Sequence, residues 1–207
     1  MLFSSTTFIF IFLTLLLILY FPIKNIKYRN IILLIFSLIF YSWGEPKYIF
    51  LMLITVLIAY IFGLLIDKYR FEKRKSKLFL IISVVLILLN LFIFKYLDFS
   101  IGIFNSIFKT NIGLSKLVLP IGISFYTFQI LSYVIDLYWG KVGVQKNYFR
   151  LLLYVSFFPQ LIAGPIVRYE TVEKEISDRK TTLDGFINGF KRFIWGLAKK
   201  VIIANNV

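Results

Sequence analysis

The chain has 207 residues, of which 59% are hydrophobic and 16% charged, and its formal net charge is +14. A soluble domain of this size cannot bury so much apolar surface, so the composition predicts an integral membrane protein. The cations lie in short segments between apolar stretches and do not alternate with exposed aromatic residues, so no nucleic-acid partner is expected. The chain contains no cysteine, which excludes disulfides and thiolate metal sites, and no metal or bound cofactor is expected.

About six or seven apolar stretches follow one another, each near the length of about 17–22 residues that crosses a bilayer. They predict an all-α, polytopic transmembrane fold. The first four are expected at 7–21, 31–43, 48–66 and 78–94. Basic residues follow the first stretch and the third, at 24–29 and 68–77. By the positive-inside rule, both loops lie in the cytoplasm and the N-terminus lies outside.

Residues 95–116 mix charged with apolar residues, and they predict an extracytoplasmic loop with an amphipathic piece on the membrane surface. The next stretch, LPIGISFYTFQILSYVIDLYWG at 119–140, is apolar but carries polar residues along one helical face. At about 100° per residue, the side chains within about 60° of one direction are Gly122, Tyr126, Gln129, Ser132, Tyr133, Asp136 and Gly140.

A polar group buried in hydrocarbon without a partner costs several kcal/mol, so this stripe is predicted to face a protein interior or a water-filled path. Asp136 is interpreted in two ways: as a carboxylate on a substrate or proton path, or as a near-interface residue paired with Lys141. For Gln129, Ser132 and Tyr133 the alternative to a path is interhelical hydrogen bonding.

Residues 157–169, FFPQLIAGPIVRY, contain Pro159 and Pro165 on either side of Gly164. The apolar run from Tyr148 to Pro159 is too short to cross a bilayer before proline interrupts the helix. We therefore expect a broken or re-entrant segment beside an internal cavity, with Gln160 and Arg168 near it.

Arg168 is interpreted either as a ligand for a phosphate or carboxylate, or as a snorkelling interface arginine. Counting spans places residues 168–180 outside the cell, whereas a re-entrant segment keeps them inside. The two prolines favour the inside location.

A last helix is predicted over 183–203, with Thr181 and Asp184 at the spacing of a capping box. One face carries the basic residues Lys191, Arg192 and Lys199, and the opposite face is apolar. A helix lying in the membrane interface accounts for this pattern.

The stretches at 119–140 and 157–169 together resemble the paired signature of the membrane-bound O-acyltransferases. They are most similar to the bacterial branch of alginate O-acetyltransferases and related D-alanine and peptidoglycan acyl-transfer proteins. The opening MLFSSTTFIFIFL and the phrase LIFYSWGEPKYIFLML at 38–53 are similar to that branch as well, so the resemblance covers the whole chain.

The resemblance implies a multi-pass enzyme of the bacterial plasma membrane. It would move an acyl group, here acetyl, from a cytoplasmic acyl-CoA or acyl carrier protein to a hydroxyl of an extracytoplasmic polysaccharide or cell-wall polymer. The implied partners are the lipid bilayer, that donor, and an extracytoplasmic acceptor protein or polysaccharide.

The resemblance also implies residue roles. The basic residues at 191, 192 and 199 would meet the donor. Arg168 would sit at the mouth of a tunnel, whose narrow part would be shaped by the segment from Pro159 to Pro165. The expected lining residues of the tunnel or substrate path are Tyr126, Gln129, Ser132, Tyr133, Asp136, Gln160, Gly164, Pro165 and Arg168.

The family uses an intramembrane histidine as base, in the C-terminal part of a longer protein, and this chain has no histidine. The catalytic histidine is therefore expected beyond Val207. Residues 1–207 are expected to be the N-terminal portion of one transmembrane domain, truncated at its C-terminus and inactive alone. Two rival functions fit the same pattern. One is a transporter or flippase subunit that moves an intermediate without chemistry, and the other is a scaffold that recruits a soluble partner through its basic loops.

Overall fold

A computed structural model describes residues 3–161, 164 and 167–204, and within these residues the chain forms helices and loops without a β-strand. A 3-10 turn, Pro46–Tyr48, precedes the third helix, and π-helical turns, Lys199–Ala204, extend the last one. Residues Thr7–Leu13 of the first helix are also π-wound. The helices are α1 (Thr7–Tyr20), α2 (Ile26–Gly44), α3 (Ile49–Lys68), α4 (Lys73–Lys95), α5 (Leu97–Phe108), α6 (Ile123–Tyr138), α7 (Tyr148–Ser156), α8 (Phe158–Leu161), α9 (Tyr169–Ser177) and α10 (Leu183–Ala198).

Among the described residues, three helices are long and apolar enough to cross a bilayer, namely Ile26–Gly44, Pro46–Lys68 and Lys73–Lys95. Thr7–Tyr20 and Leu97–Phe108 are apolar but shorter. The all-helical fold of a membrane protein is thus confirmed, whereas the predicted count of six or seven membrane segments is not.

The helices extend beyond the apolar stretches that predicted them. α2 begins at Ile26 rather than at 31, because the Asn25 side chain accepts a hydrogen bond from the Lys27 amide and caps the helix earlier. α4 begins at Lys73 rather than at 78, since hydropathy marks only the apolar part of a helix and charged residues are compatible with its first turn. α10 is capped by Thr182, which accepts from the Gly185 amide, so the capping residue lies one position after the predicted one.

Two apolar cores hold the bundle together. The larger joins α2, α3, α4, α6 and α7, and its fully buried members include Met52, Val56, Ile87 and Val134. The smaller is aromatic and joins α1, α2 and α8. Its buried members are Phe8, Phe12, Leu16, Phe36, Phe40 and Phe158. Edge-to-face packing, which favours aromatic pairs beyond the area they bury, occurs at Phe12–Phe158 with ring centroids 5.4 Å apart.

One end of the bundle, here called the basic end, gathers the loops 21–25, 69–72 and 139–147 together with α9. The Arg70 guanidinium lies beside Gly140. Gln145 Nε2 donates to the Tyr169 hydroxyl at 2.6 Å, and Asn30 Nδ2 donates to the Ile176 carbonyl at 2.8 Å. The basic loops therefore lie at the same end of the bundle as the hydrophilic residues 169–177.

The opposite end contains the α2–α3 turn, the end of α4 and the start of α6. Glu45 Oε2 accepts from the Ile121 amide at 2.9 Å, and Lys95 Nζ lies 3.3 Å from Ser124 Oγ. α5 emerges from this end and, although fully described, has no buried residue. The predicted helical piece within 95–116 is thus present and exposed, and its placement on the membrane surface stays a prediction.

The loop after α5 is bound to that helix through one carboxylate. Asp98 accepts hydrogen bonds from the Ser115 hydroxyl at 2.6 Å, the Ser115 amide at 2.8 Å and the Lys116 amide at 2.9 Å. These bonds, the one from the Ser115 hydroxyl first, hold the pKa of Asp98 below its usual range.

Candidate functional site: a broken helix and an adjoining cavity

The helix that starts at Tyr148 is interrupted after nine residues, because Phe157 leaves helical geometry at φ −55° and ψ 108°. Pro159 follows in the first turn of α8, where a missing amide donor is tolerated. The prediction that this stretch is not one regular helix is confirmed for its described residues.

A broken helix leaves backbone groups without helical partners, and here side chains satisfy two of them. The Tyr154 carbonyl accepts from Gln129 Nε2 at 3.0 Å and from Gln160 Nε2 at 2.6 Å. The Phe158 amide, which would complete the helical turn onto that carbonyl, instead donates to Ser37 Oγ at 3.4 Å. Non-helical backbone at membrane depth is stable only when its polar groups are bonded in this way.

After α8 the chain turns back toward the basic end. The Leu161 carbonyl lies beside Gly122 at the start of α6, 3.2 Å from where a β-carbon would be. Gly122 itself has a φ of +75°, which favours glycine. Tyr169, further along the chain, packs edge to face on Tyr133 with ring centroids 5.0 Å apart. The segment 148–169 therefore starts at the basic end, reaches the start of α6 and returns.

Close contacts fix this return path. A β-carbon on Gly164 would lie 2.9 Å from Gln160 Cα and 3.0 Å from its carbonyl oxygen, so the position requires glycine. The Tyr154 hydroxyl donates to the Val167 carbonyl at 2.8 Å, and its ring lies 5.1 Å from that of Tyr169. Tyr154, on the arm before the break, thus contacts the returning arm at two residues.

The polar stripe of α6 faces the protein interior: Tyr126, Gln129, Tyr133 and Asp136 are buried, and Ser132 is half-buried. The Tyr133 hydroxyl accepts from the Gln145 amide at 3.0 Å, and Ser132 Oγ donates to the carbonyl of Gln129 at 2.8 Å.

Asp136 has a side chain that is 6% exposed, and its Oδ1 lies 3.7 Å from Lys141 Nζ, as the paired interpretation proposed. The Tyr126 hydroxyl is buried and has no hydrogen-bond partner among the described residues. A tunnel lined by these side chains stays a prediction.

A cavity of about 360 Å³ adjoins the broken helix on the side facing α1 and α2. Gln160 lines it, as do Tyr154 and several residues that the sequence did not indicate. Its apolar walls are formed by Leu16, Leu17, Phe21, Leu33, Leu153, Phe157, Val172 and Ile176, and its polar members are Tyr20, Tyr154, Gln160, Glu175 and Arg179.

The remaining predicted residues lie away from this cavity. Arg168 is exposed, directly before α9. Gly164 is half-buried at the turn of the segment. Lys191, Arg192 and Lys199 are exposed on α10 and its extension. Their exposed position does not test the prediction that they meet an acyl donor.

Two predictions concern parts of the chain that the structure does not describe. Pro165 is predicted to shape the narrow part of the tunnel, and Val207 is predicted to precede the segment that carries the histidine base. Both residues lie outside the described ranges 3–161, 164 and 167–204. The lining role of Pro165 and the location of a base beyond Val207 therefore stay predictions.

Sequence reasoning missed Arg179, Asn30, Tyr154 and Gln145. Arg179 is one charge in a hydrophilic segment, and its partners Tyr20 and Asn30 lie 159 and 149 positions away, so no local pattern distinguishes it. Tyr154 carried a usable signal, since it is one of the hydroxyl-bearing residues in the short apolar run that ends at the first proline.

The fold and the site define a helical membrane protein with a broken, internally bonded segment against a polar helix face. No family model and no solved structure matches the chain. It is 38% identical over 212 residues to a probable alginate O-acetylase of Pseudomonas aeruginosa, covering all of this chain and 40% of that protein.

A probable alginate O-acetylase of Azotobacter vinelandii is 37% identical over the whole chain, which covers 42% of that relative. A peptidoglycan O-acetyltransferase of Helicobacter pylori is 32% identical over 237 residues, with 45% of it covered. The chain thus spans about two fifths of the length of these curated relatives. They confirm the resemblance that the motifs at 119–140 and 157–169 indicate.

Proposed function

We propose that the whole protein is a membrane O-acetyltransferase that acts on a hydroxyl of a polysaccharide or cell-wall polymer outside the cytoplasm. The present chain forms part of its transmembrane domain. One observation carries the proposal: all 207 residues align at 32–38% identity with proteins named for O-acetylation of two different polymers. Both names specify transfer of an acetyl group, but they specify different acceptors. We therefore assign the acceptor only as a polymer.

Transfer of an acetyl group to a hydroxyl needs a base that takes the hydroxyl proton in the transition state, most often a histidine. The 207 residues contain no histidine. We therefore assign the base to residues outside this chain. The donor is an acyl-CoA or an acyl carrier protein at the cytoplasmic side.

The role proposed for this chain is to form one wall of the path between donor and acceptor. The buried stripe of α6 supports it, together with the Tyr126 hydroxyl, which is left without a partner in the part of the chain that the structure describes. A substrate path needs hydrogen-bonding groups that the protein does not already use, and among the described residues the Tyr126 hydroxyl is one on the stripe.

A matched pair of variants of the whole protein tests this role. Tyr126→Phe removes a buried hydroxyl that has no intramolecular partner, and Ser83→Ala does the same on α4. If the Tyr126 hydroxyl bonds the substrate, its loss lowers the acetylation rate by about fivefold, the equivalent of one hydrogen bond of about 1 kcal/mol. Ser83→Ala should leave the rate unchanged. Full activity of Tyr126→Phe would remove it from the path.

The activity itself is tested by expressing the full-length protein in a bacterial strain that lacks its polymer O-acetylase. Ester-linked acetate on the isolated polymer is then measured. Restored acetylation supports the proposal. Unchanged acetate with altered export of a lipid-linked intermediate would favour the transporter instead.

We further propose that the basic end is cytoplasmic, that the N-terminus lies outside, and that 148–169 is a re-entrant segment. The shared location of the basic loops and α9 supports this orientation. Single cysteines at Lys75, Lys174 and Ser106 test it in a cysteine-free full-length protein. An impermeant maleimide should label Ser106→Cys on intact cells and the other two only after lysis. Labelling of Lys174→Cys from outside would contradict the re-entrant topology.

A further inference from the structure

Arg179 is held in a fixed orientation with part of its hydrogen-bonding capacity unused. Its Nε donates to the Tyr20 hydroxyl at 2.6 Å, and its Nη1 donates to Asn30 Oδ1 at 2.8 Å and to the Glu175 carbonyl at 3.3 Å. Its Nη2 is buried and has no partner among the described residues. A guanidinium is always charged, and leaving buried donors unpaired is costly, so the site favours an acceptor from outside.

A second guanidinium contacts the same tyrosine ring as the first. Arg29 and Arg179 lie 4.9 and 5.5 Å from the centroid of the Tyr20 ring. Arg29 also donates to Thr181 Oγ1 at 3.0 Å and to the Ile23 carbonyl. Within the described ranges, no carboxylate lies within 4.0 Å of either guanidinium. Glu175 and Arg179 both line the cavity, so the surplus positive charge at this site comes from Arg29, the other contact of the Tyr20 ring.

Arg179 lines a cavity whose other walls are mainly apolar, and Arg29 lines a neighbouring cavity that shares Leu17 and Phe21 with it. The Arg179 cavity has a volume of about 360 Å³, in the range of small-molecule sites, and eight of its thirteen lining residues are aliphatic or Phe. It lies where α1 ends and α2 begins, which is the basic end of the bundle. At the cytoplasmic surface of a membrane, this is the level of the lipid phosphates.

We propose that this cavity holds one acyl chain of an anionic membrane phospholipid, whose phosphate is bound by Arg179 with support from Arg29. The apolar walls match the chain, and the unused Nη2 donors with the surplus positive charge match an anionic headgroup. The proposal requires only a membrane-embedded protein. Lipid binding can therefore be refuted while acetyl transfer is supported, and acetyl transfer can be refuted while lipid binding is supported.

The test uses the purified full-length protein, equilibrated with equal amounts of phosphatidylglycerol and phosphatidylcholine, and native mass spectrometry of the retained lipid. The expected preference for the anionic lipid is about tenfold, because the ammonium of phosphatidylcholine is repelled by the two guanidinium groups. Arg179→Gln should abolish the preference. Arg74→Gln, which removes one exposed charge from the basic end outside the cavity, should keep it.

A second variant separates lipid binding from the structural bonds of Arg179. Val172→Phe fills the cavity without touching those bonds, and it should lower retention of both lipids. Val85→Phe makes the same change on an exposed face of α4 and should not.

Equal retention of the two lipids by the unmodified protein would overturn the proposal. So would an unchanged preference in Arg179→Gln, or unchanged retention in Val172→Phe. Cross-links from Val172 to another segment of the full-length protein would do so as well, by showing that the cavity is filled by the protein itself.

Discussion

The two glutamine amides that meet on the Tyr154 carbonyl allow a quantitative test of how the broken helix is stabilised. Gln129 Nε2 lies 3.0 Å and Gln160 Nε2 2.6 Å from that oxygen. Replacing either residue by Met keeps the volume and removes one donor, while the other amide still bonds the carbonyl. Each single change should therefore cost about 0.5–1 kcal/mol, toward the low end for bonds in membranes.

The double change has a different physical effect. It leaves a buried carbonyl without any donor, because the Phe158 amide is already bonded to Ser37. An orphaned buried acceptor costs about 1–3 kcal/mol in desolvation. The double variant should thus lose about 1–2 kcal/mol more than the sum of the single variants, an interaction energy in the range of residues that share one partner.

The assay is the free energy of unfolding of the full-length protein in micelles, measured for the four members of the double-mutant cycle. Ser42→Ala is the control, because its hydroxyl donates to the carbonyl of Ile39 three residues earlier in the same helix, α2. It should change stability by less than about 0.5 kcal/mol. Additivity of the two Gln changes within about 0.5 kcal/mol would refute the shared-carbonyl explanation.

Two further changes test the packing of the turn and the loop after α5. Gly164→Ala should destabilise the protein by about 1–3 kcal/mol, because its methyl group would lie 2.9 Å from the Gln160 backbone. The control is Gly102→Ala on α5, where no atom lies within 4 Å of the added carbon. It should be neutral or stabilising. The pKa of Asp98 is lowered in the folded protein, so its hydrogen bonds protect the Ser115 amide from hydrogen exchange above the ordinary carboxyl pKa of 3.8. This protection is lost as the pH falls through the lowered pKa. Hydrogen exchange measures it, and a pH dependence that persists in Asp98→Asn would contradict the assignment.

The class of protein and the position of the break could be read from the sequence because both depend on local features. Hydropathy over about 20 residues detects a helix in a membrane wherever it packs. Pro159 restricts its own backbone and lacks an amide donor, so an interrupted helix near it follows without knowledge of the fold. The number of membrane segments did not follow in the same way, since α1, α5 and α6 fall short of a full span in the structure.

The candidate site was predicted only in part. The polar stripe on α6 was predicted from its 3.6-residue period, and its burial agrees with that pattern. Its bonding partners were not predicted, because Gln129 reaches a carbonyl 25 positions away and Tyr133 an amide 12 positions away. A periodic pattern identifies the face that turns inward but not what lies opposite.

The sequence by itself therefore determined that this is a helical membrane protein, that one helix is broken, and which face of α6 is polar. Only the tertiary structure decided that Gln129 and Gln160 share one carbonyl and that residues 169–177 return to the basic end. It also placed Arg179 and Arg29 against the same ring, that of Tyr20. The physical reason is range: propensity and periodicity act within a few turns, whereas these contacts join side chains whose helices meet only after the bundle has packed.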